Sequence, residues 1–324
     1  MKSIFTTLLT CLSFALLAQQ SVQQSMYMLN PYQFNEAFAG TENSLIITAD
    51  IRKQWTNLEG SPGSQNLTAH LPLYFLKGGI GFQLENDELG ATRNTSFKAS
   101  YNYIHTLGEK TSISIGASAG IIQQSYDGSI LRSPDGDYEP GAFNHNDLLL
   151  STLNQNAVTS TFGAAVLFQM ADLDVGLSAN NLTESSFEFQ TEDLATSFQQ
   201  QRHYAIHAGY NLEINDFVSL RPTVLLRSDL AENQIDLNLL ATLDQKFLLG
   251  GGIRGIQGPE NDAAVIIVGI ELNENFTLAY SYDIGLSSLN SIQNGSHEFL
   301  IRYDLNKKLG GGYPPSIKYN PRFL

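Results

Sequence analysis

The sequence is poor in cysteine, in basic charge and in long apolar runs, and each shortage excludes something. Cys11 is its only cysteine. Once the leader described below is removed the chain has none, so disulfides, a thiol nucleophile and thiolate metal ligands are excluded. An exported chain of this size must then be held by its fold alone. Lys and Arg number 18 against 32 Asp and Glu, a net charge of −14, and no basic patch suits nucleic acid. After the leader, no stretch of about 20 unbroken apolar residues could span a bilayer as a helix. Closed barrels also cross membranes, so a membrane location stays open. No GxSxG, HExxH or P-loop occurs, and no nucleophile and base cluster, which argues against an enzyme.

What is present begins with MKSIFTTLLTCLSFALLAQQ: Lys2, an apolar run from Ile4 to Leu17, and small Ala18. This reads as a secretory signal peptide over 1–18, too short to span as a helix. A lipoprotein reading of LLTC is disfavoured because the apolar run continues past Cys11. Residues 19–44 include MYMLNPYQFNEAFAGT, rich in aromatics and Met, with neither a helical nor a strand period.

From 45 to 305 the dominant period is two. In TSISIGASAGII, Ile113, Ile115, Ala117, Ala119 and Ile121 alternate with Ser112, Ser114, Gly116, Ser118 and Gly120. DLDVGLSAN, YAIHAGYNL, IDLNLLATL and FTLAYSYD repeat the pattern, which predicts strands with one apolar and one polar face. About fourteen such strands of roughly ten residues are predicted, the length of a tilted membrane strand. They fall at 45–56, 64–74, 78–85, 94–106, 111–122, 159–170, 172–181, 201–213, 216–227, 233–243, 246–254, 262–272, 275–283 and 296–305.

Their connections alternate. LKGG, LGEK, MAD, IND, DQ and NEN are tight, whereas NLEGSPG, ENDELGATRN, 123–158, 182–200, SDLAEN, GIQGPEN and 284–295 are long. That rhythm, with an even strand count, predicts an up-and-down outer-membrane barrel with both termini periplasmic. A β-sandwich would alternate too, but nothing in it demands this regularity. Tyr204, Tyr210, Phe276, Tyr280, Tyr282, Phe299 and Tyr303 sit on apolar faces, several near strand ends, as in an interfacial girdle.

Other features carry less chemistry. His203 and His207 share a strand face but lie about 13 Å apart, too far to share a metal. Asp135, Asp137 and Glu139 in SPDGDYEPG suit a solvated acidic loop better than a calcium site, lacking the DxDxDG spacing. The glycines of GGIGF and LGGGIRG lie in strand patterns and read as close-packing or bend positions.

MYMLNPYQFNEAFAGT resembles the opening of the PorP/SprF family of type IX secretion membrane proteins, with Asn30, Pro31, Asn35, Ala37, Ala39 and Gly40 matching. Glu36 stands where the family has a second proline, and Phe38 replaces a common tyrosine. RKQWTNLEGSPGSQNL is similar to the family's next block through Arg52, Gln54, Trp55, Gly60, Pro62 and Gln65. The strand blocks, SHEFLIRYDL and NPRFL also fit, from about residue 25 to the end. The resemblance implies a non-enzymatic outer-membrane barrel of the secretion and gliding machinery. It would support export or surface anchoring of a secreted adhesin or other client with a C-terminal sorting domain, and would contact periplasmic components. The irregular segment would pack inside the barrel or across its mouth. A porin-like channel for small solutes is the alternative, with the lumen open instead of plugged.

Two site expectations remain. The family-motif residues are candidates for partner contact, with Trp55 a protein contact or a girdle residue. The tail 306–324 is basic and aromatic. Its Lys307, Lys308, Tyr313, Lys318, Tyr319, Arg322 and Phe323, on a Gly- and Pro-rich chain, would dock on a periplasmic component unless the tail is a disordered end.

Overall fold

Every backbone N–H and C=O in a bilayer needs an internal partner, and strands provide this only by closing on themselves. The computed structural model describes residues 23–139, 142–147, 151–190, 195–256, 261–287 and 291–307. Its strands are β1 Ile46–Lys53, β2 Gly63–Leu73, β3 Gly78–Leu89, β4 Thr92–Gly108, β5 Thr111–Asp127, β6 Asn154–Met170 and β7 Leu173–Asn180. After them come β8 Ser186–Gln190, β9 Ala195–Gln199, β10 His203–Tyr210, β11 Leu212–Asn215, β12 Val218–Ser228 and β13 Asn233–Leu243. The last four are β14 Phe247–Arg254, β15 Ala263–Asn273, β16 Phe276–Gly285 and β17 Ser296–Asp304.

Each barrel strand pairs antiparallel with its neighbours. β1 meets β17 with Ile46 opposite Asp304, and β10 meets β12 with Tyr204 opposite Ser228. β10 and β11 are two parts of one stave divided at Asn211, so the closed wall has 14 strands. β8 and β9 form a separate hairpin.

The faces obey the two-residue period. Along β1, Ile46, Thr48, Asp50 and Arg52 are buried toward the lumen while Ile51 is 60% exposed on the outer wall. Ile115, Ile121, Leu177, Ile206, Tyr210, Phe276 and Phe299 are likewise exposed outward. An apolar exterior around a polar interior is the inverse of a soluble protein and suits lipid.

All predicted barrel strands are present, with three differences. First, β3 and β4 run on through ENDELGATRN, which the sequence reading made a loop, and turn at Gly90–Ala91. Their ladder continues with Glu85 opposite Ser96 and Glu88 opposite Arg93, and Arg93 pairs with Glu88 at 2.6 Å. Second, β5 and β6 extend past the predicted ends, to Asp127 and from Asn154. Third, the 182–200 connection holds the β8–β9 hairpin. The wall over β3–β6 therefore rises well above its neighbours on the long-loop side. Residues 1–22 and 308–324, with the predicted signal peptide and most of the tail, lie outside the described residues.

Residues 23–44 descend through the lumen. Gln23 bonds Gln234 near the long-loop end of β13, and Arg302 pairs with Glu42 near the short-turn end. The chain makes three short 3₁₀ turns, Tyr27–Leu29, Pro31–Gln33 and Glu36–Phe38. Pro31 opens the second, where a missing N–H costs nothing. The Asn35 side chain caps the third by accepting from the Ala37 N–H at 2.9 Å. Local capping of this kind explains a segment without helical or strand period.

Candidate functional site

The lumen is where the chain places its buried charge, and the N-terminal segment is bolted to it. Arg52 on β1 donates through Nη2 to Asp283 Oδ2 at 2.5 Å and through Nη1 to Glu298 Oε2 at 2.9 Å. Arg254 at the end of β14 also reaches Asp283, at 2.8 Å. Two cations thus meet two carboxylates, all nearly without solvent contact. Burial makes such a cluster costly unless every charge is paired and hydrogen-bonded.

The segment supplies part of that pairing. The Ser25 N–H donates to Glu298 at 2.8 Å, and the Ser25 hydroxyl donates to Asp283 at 2.8 Å while accepting from Arg52 at 3.0 Å. Gln24 donates to Asp50 at 2.9 Å, and Asn66 bonds the other oxygen of Asp50 at 2.8 Å. Nearby, Arg227 pairs with Asp236 at 2.6 Å. Asp262, just before β15, borders this end; burial raises its carboxyl above the usual range, opposed by the Arg254 charge.

Lower in the lumen the segment makes further contacts. Met26, Tyr27 and Met28 pack into an apolar cluster with Leu225, Leu240, Val265, Ile267 and Leu300. The Ser178 hydroxyl donates to the Phe34 carbonyl at 2.6 Å, and the Tyr32 and Ser100 hydroxyls share a bond of 2.8 Å. The Ala37 carbonyl accepts from Asn102 and Ser114, at 2.7 and 2.8 Å. Glu36, the departure from the family pattern, accepts from Ser118 at 2.9 Å. Glycines in the wall make room. A Cβ on Gly81 would come within 2.4 Å of the Tyr32 ring, and one on Gly79 within 2.2 Å of the Ala39 carbonyl oxygen. Gly40 has φ +70°, and a Cβ there would stand 2.7 Å from the Pro72 Cα. Its N–H donates to His70 at 3.2 Å.

Above the segment, in the long-loop half, lies a cavity of about 640 Å³. Tyr27 and Phe34 line its base, the upper ends of β3, β4, β5 and β12 its sides, and Phe187, Phe189 and Phe198 of the β8–β9 hairpin border it. Phe187 and Phe189 pack on Ala157, Ile122 and Tyr126.

The predicted motif residues divide into groups. Asn30, Ala37, Gly40 and Arg52 all lie in the lumen but at different depths, Arg52 in the charge cluster and Gly40 beside Pro72, with Asn30 accepting from Thr68 at 3.1 Å and Pro31 half-buried beside it. Gln54, Trp55, Gly60 and Pro62 build the β1–β2 connection. The Gln54 N–H donates to Pro62 at 2.9 Å, and Gly60 accepts from the Gly90 N–H at 2.9 Å. β1 ends at Lys53, so Trp55 lies beyond the strand predicted to hold it. It is half-buried with φ 44°, its N–H donating to Ser296 at 3.2 Å. Gln65 points outward, away from both groups. Lys307 is exposed after β17. Lys308, Tyr313, Lys318, Tyr319, Arg322 and Phe323 lie outside the described residues.

Sequence reading missed Asp50, Arg254, Asp283, Glu298 and Ser25. The available signal was single charges on polar strand faces, as in SYDIG and SHEFL; what they pair with is set only by closure of the barrel.

Solved structures of similar shape include the CymD monoaromatic hydrocarbon channel, at 10% identity and TM-score 0.48, covering 89% of this chain and 94% of that one. The Ralstonia pickettii toluene transporter TbuX shares 11% identity at TM-score 0.47, covering 87% and 93%. The KdgM porin shares 7% at TM-score 0.35, covering 80% and 98%. No curated protein matches in sequence. The family model described as type IX secretion system membrane protein PorP/SprF matches residues 16–303. With most of its length matched and a closed 14-strand wall, the chain belongs to the PorP/SprF family of type IX secretion system membrane proteins and is an outer-membrane β-barrel.

Proposed function

We propose that this barrel is a non-enzymatic scaffold of the type IX secretion and gliding machinery. It supports export or surface anchoring of a secreted partner carrying a C-terminal sorting domain, and it contacts periplasmic components through its short-turn end and basic tail. Both termini are assigned to the periplasmic side, with the long connections and the raised β3–β6 wall outside. A leader over 1–18 directs export.

The observation that carries the reading is the occupied lumen. Residues 23–42 touch the wall from Asp50 on β1 through Ser100 on β4, Ser178 on β7 and Thr223 on β12 to Glu298 on β17. A segment held on so many sides at once opposes a solute path and leaves both rims of the barrel as surfaces for proteins. A solute channel would instead need this segment to leave.

The test is affinity purification of the intact protein from its native envelope. Secretion-machine components and a secreted client should co-purify. A barrel that comes alone, while liposomes containing it swell in small sugars or amino acids, would replace the scaffold reading with the channel reading.

A further inference from the structure

The cavity above the N-terminal segment carries polar groups that the fold leaves unsatisfied. Gln200, just after β9, is 3% exposed, and neither its Nε2 nor its Oε1 has a hydrogen-bond partner. Ser96 on β4 is 5% exposed with an unpartnered hydroxyl, and the buried Asn94 Oδ1 has no partner. All three residues line the cavity. Polar atoms in a protein interior are nearly always satisfied, so four exceptions on three residues of one lining call for an explanation. The cavity's volume of about 640 Å³ falls in the range of ligand clefts.

The chemistry of the lining narrows the ligand. A glutamine amide presents one donor side and one acceptor side, matching a peptide group. Phe34, Phe187 and Phe189 give an apolar wall opposite. Phe187 and Phe189 are themselves buried, with Phe189 engaged edge-to-face by Tyr126 and Phe198. The accessible apolar surface of the hairpin is Phe198, which lines the cavity and is 45% exposed.

We infer that this cavity binds an extended peptide segment of a partner protein. The segment's backbone pairs with the Gln200 amide and Ser96, and a large apolar side chain rests against Phe198. The inference rests on the scaffold reading and names what the partner presents.

The test uses the full-length barrel in detergent and a pool of capped heptapeptides. In each peptide Thr alternates with randomised apolar and aromatic residues, and each carries a photo-crosslinking group. Binders should emerge that crosslink to 94–96, 198 or 200, and Gln200→Leu should weaken the best of them about tenfold, the effect of losing two hydrogen bonds. If heat-modifiable gel mobility shows that Gln200→Leu does not fold, Ser96→Val carries the test with a several-fold loss expected. The inference is overturned if the pool yields no binder, if binders crosslink elsewhere or ignore both substitutions, or if maltoheptaose binds the cavity in their place. Co-purification of a client together with no peptide binding would sink the site and leave the scaffold standing. Peptide binding to a freely conducting barrel would do the reverse.

Discussion

Replacing Arg52 by Met removes a guanidinium that sits between two buried carboxylates while keeping a chain of similar length. In the native cluster Arg52 and Arg254 balance Asp283 and Glu298. After the change, +1 faces −2 in a space without solvent. Asp283 keeps Arg254, but Glu298 keeps only the Ser25 and Met26 amides. Breaking a buried pair by removing one partner costs about 3–5 kcal/mol. The strand ladders of the wall do not depend on this side chain, so the loss should fall on the docked segment. Hydrogen exchange of the amides over 24–30 should accelerate, by a factor of hundreds if about 3 kcal/mol reaches local opening. Heat-modifiable mobility, which reports the barrel, should survive. Arg52→Met with Glu298→Gln should recover part of the protection, because the stranded charge is then gone. Arg52→Lys should fall between, since one ammonium cannot reach both acids and Ser25 as the fork does. Unchanged exchange over 24–30 in Arg52→Met would refute the reasoning.

Three further outcomes follow from the same geometry. Gly40→Ala forces a Cβ onto a left-handed backbone against Pro72 and should cost about 1–3 kcal/mol, read as a lower thermal midpoint of the docked segment. Surface proteolysis of intact cells should cut within 131–147 or 182–200 and spare the tight turn at Glu109–Lys110; the opposite pattern would invert the assigned orientation. Deleting 309–324 should leave heat-modifiable mobility intact yet lower secretion or motility and release a periplasmic partner. Full secretion with every partner retained would make the tail dispensable.

The barrel wall was legible in the sequence because lipid imposes alternation on every strand it touches. Ile113, Ile115, Ile121, Leu173, Val175 and Leu177 announce their strands for that reason. The same rule explains where legibility ended. Above the lipid both faces of β3 and β4 are free to be polar, so Glu85, Asp87, Arg93 and Asn94 look like a loop although their ladder is unbroken. The β8–β9 hairpin left a trace, Phe187 and Phe189 at alternate positions, but it was too short to stand out from the long connection around it. The lumen was hardest to read. Arg52 stood out as part of a family motif, yet its partners Asp283 and Glu298 lie 231 and 246 residues away, and only ring closure brings them together. The glycines at 79 and 81 read as close-packing positions, while the ring and carbonyl that press on them belong to a segment whose course no periodicity reveals.

The central claim is that residues 23–44 occupy the lumen of an otherwise complete barrel. Single-channel recording in planar bilayers tests it most directly, comparing the intact protein with a variant lacking residues 23–41 whose barrel is verified by heat-modifiable mobility. The account predicts no stepwise conductance from the intact protein and discrete open steps from the deletion. Steps of equal size from both proteins would contradict it.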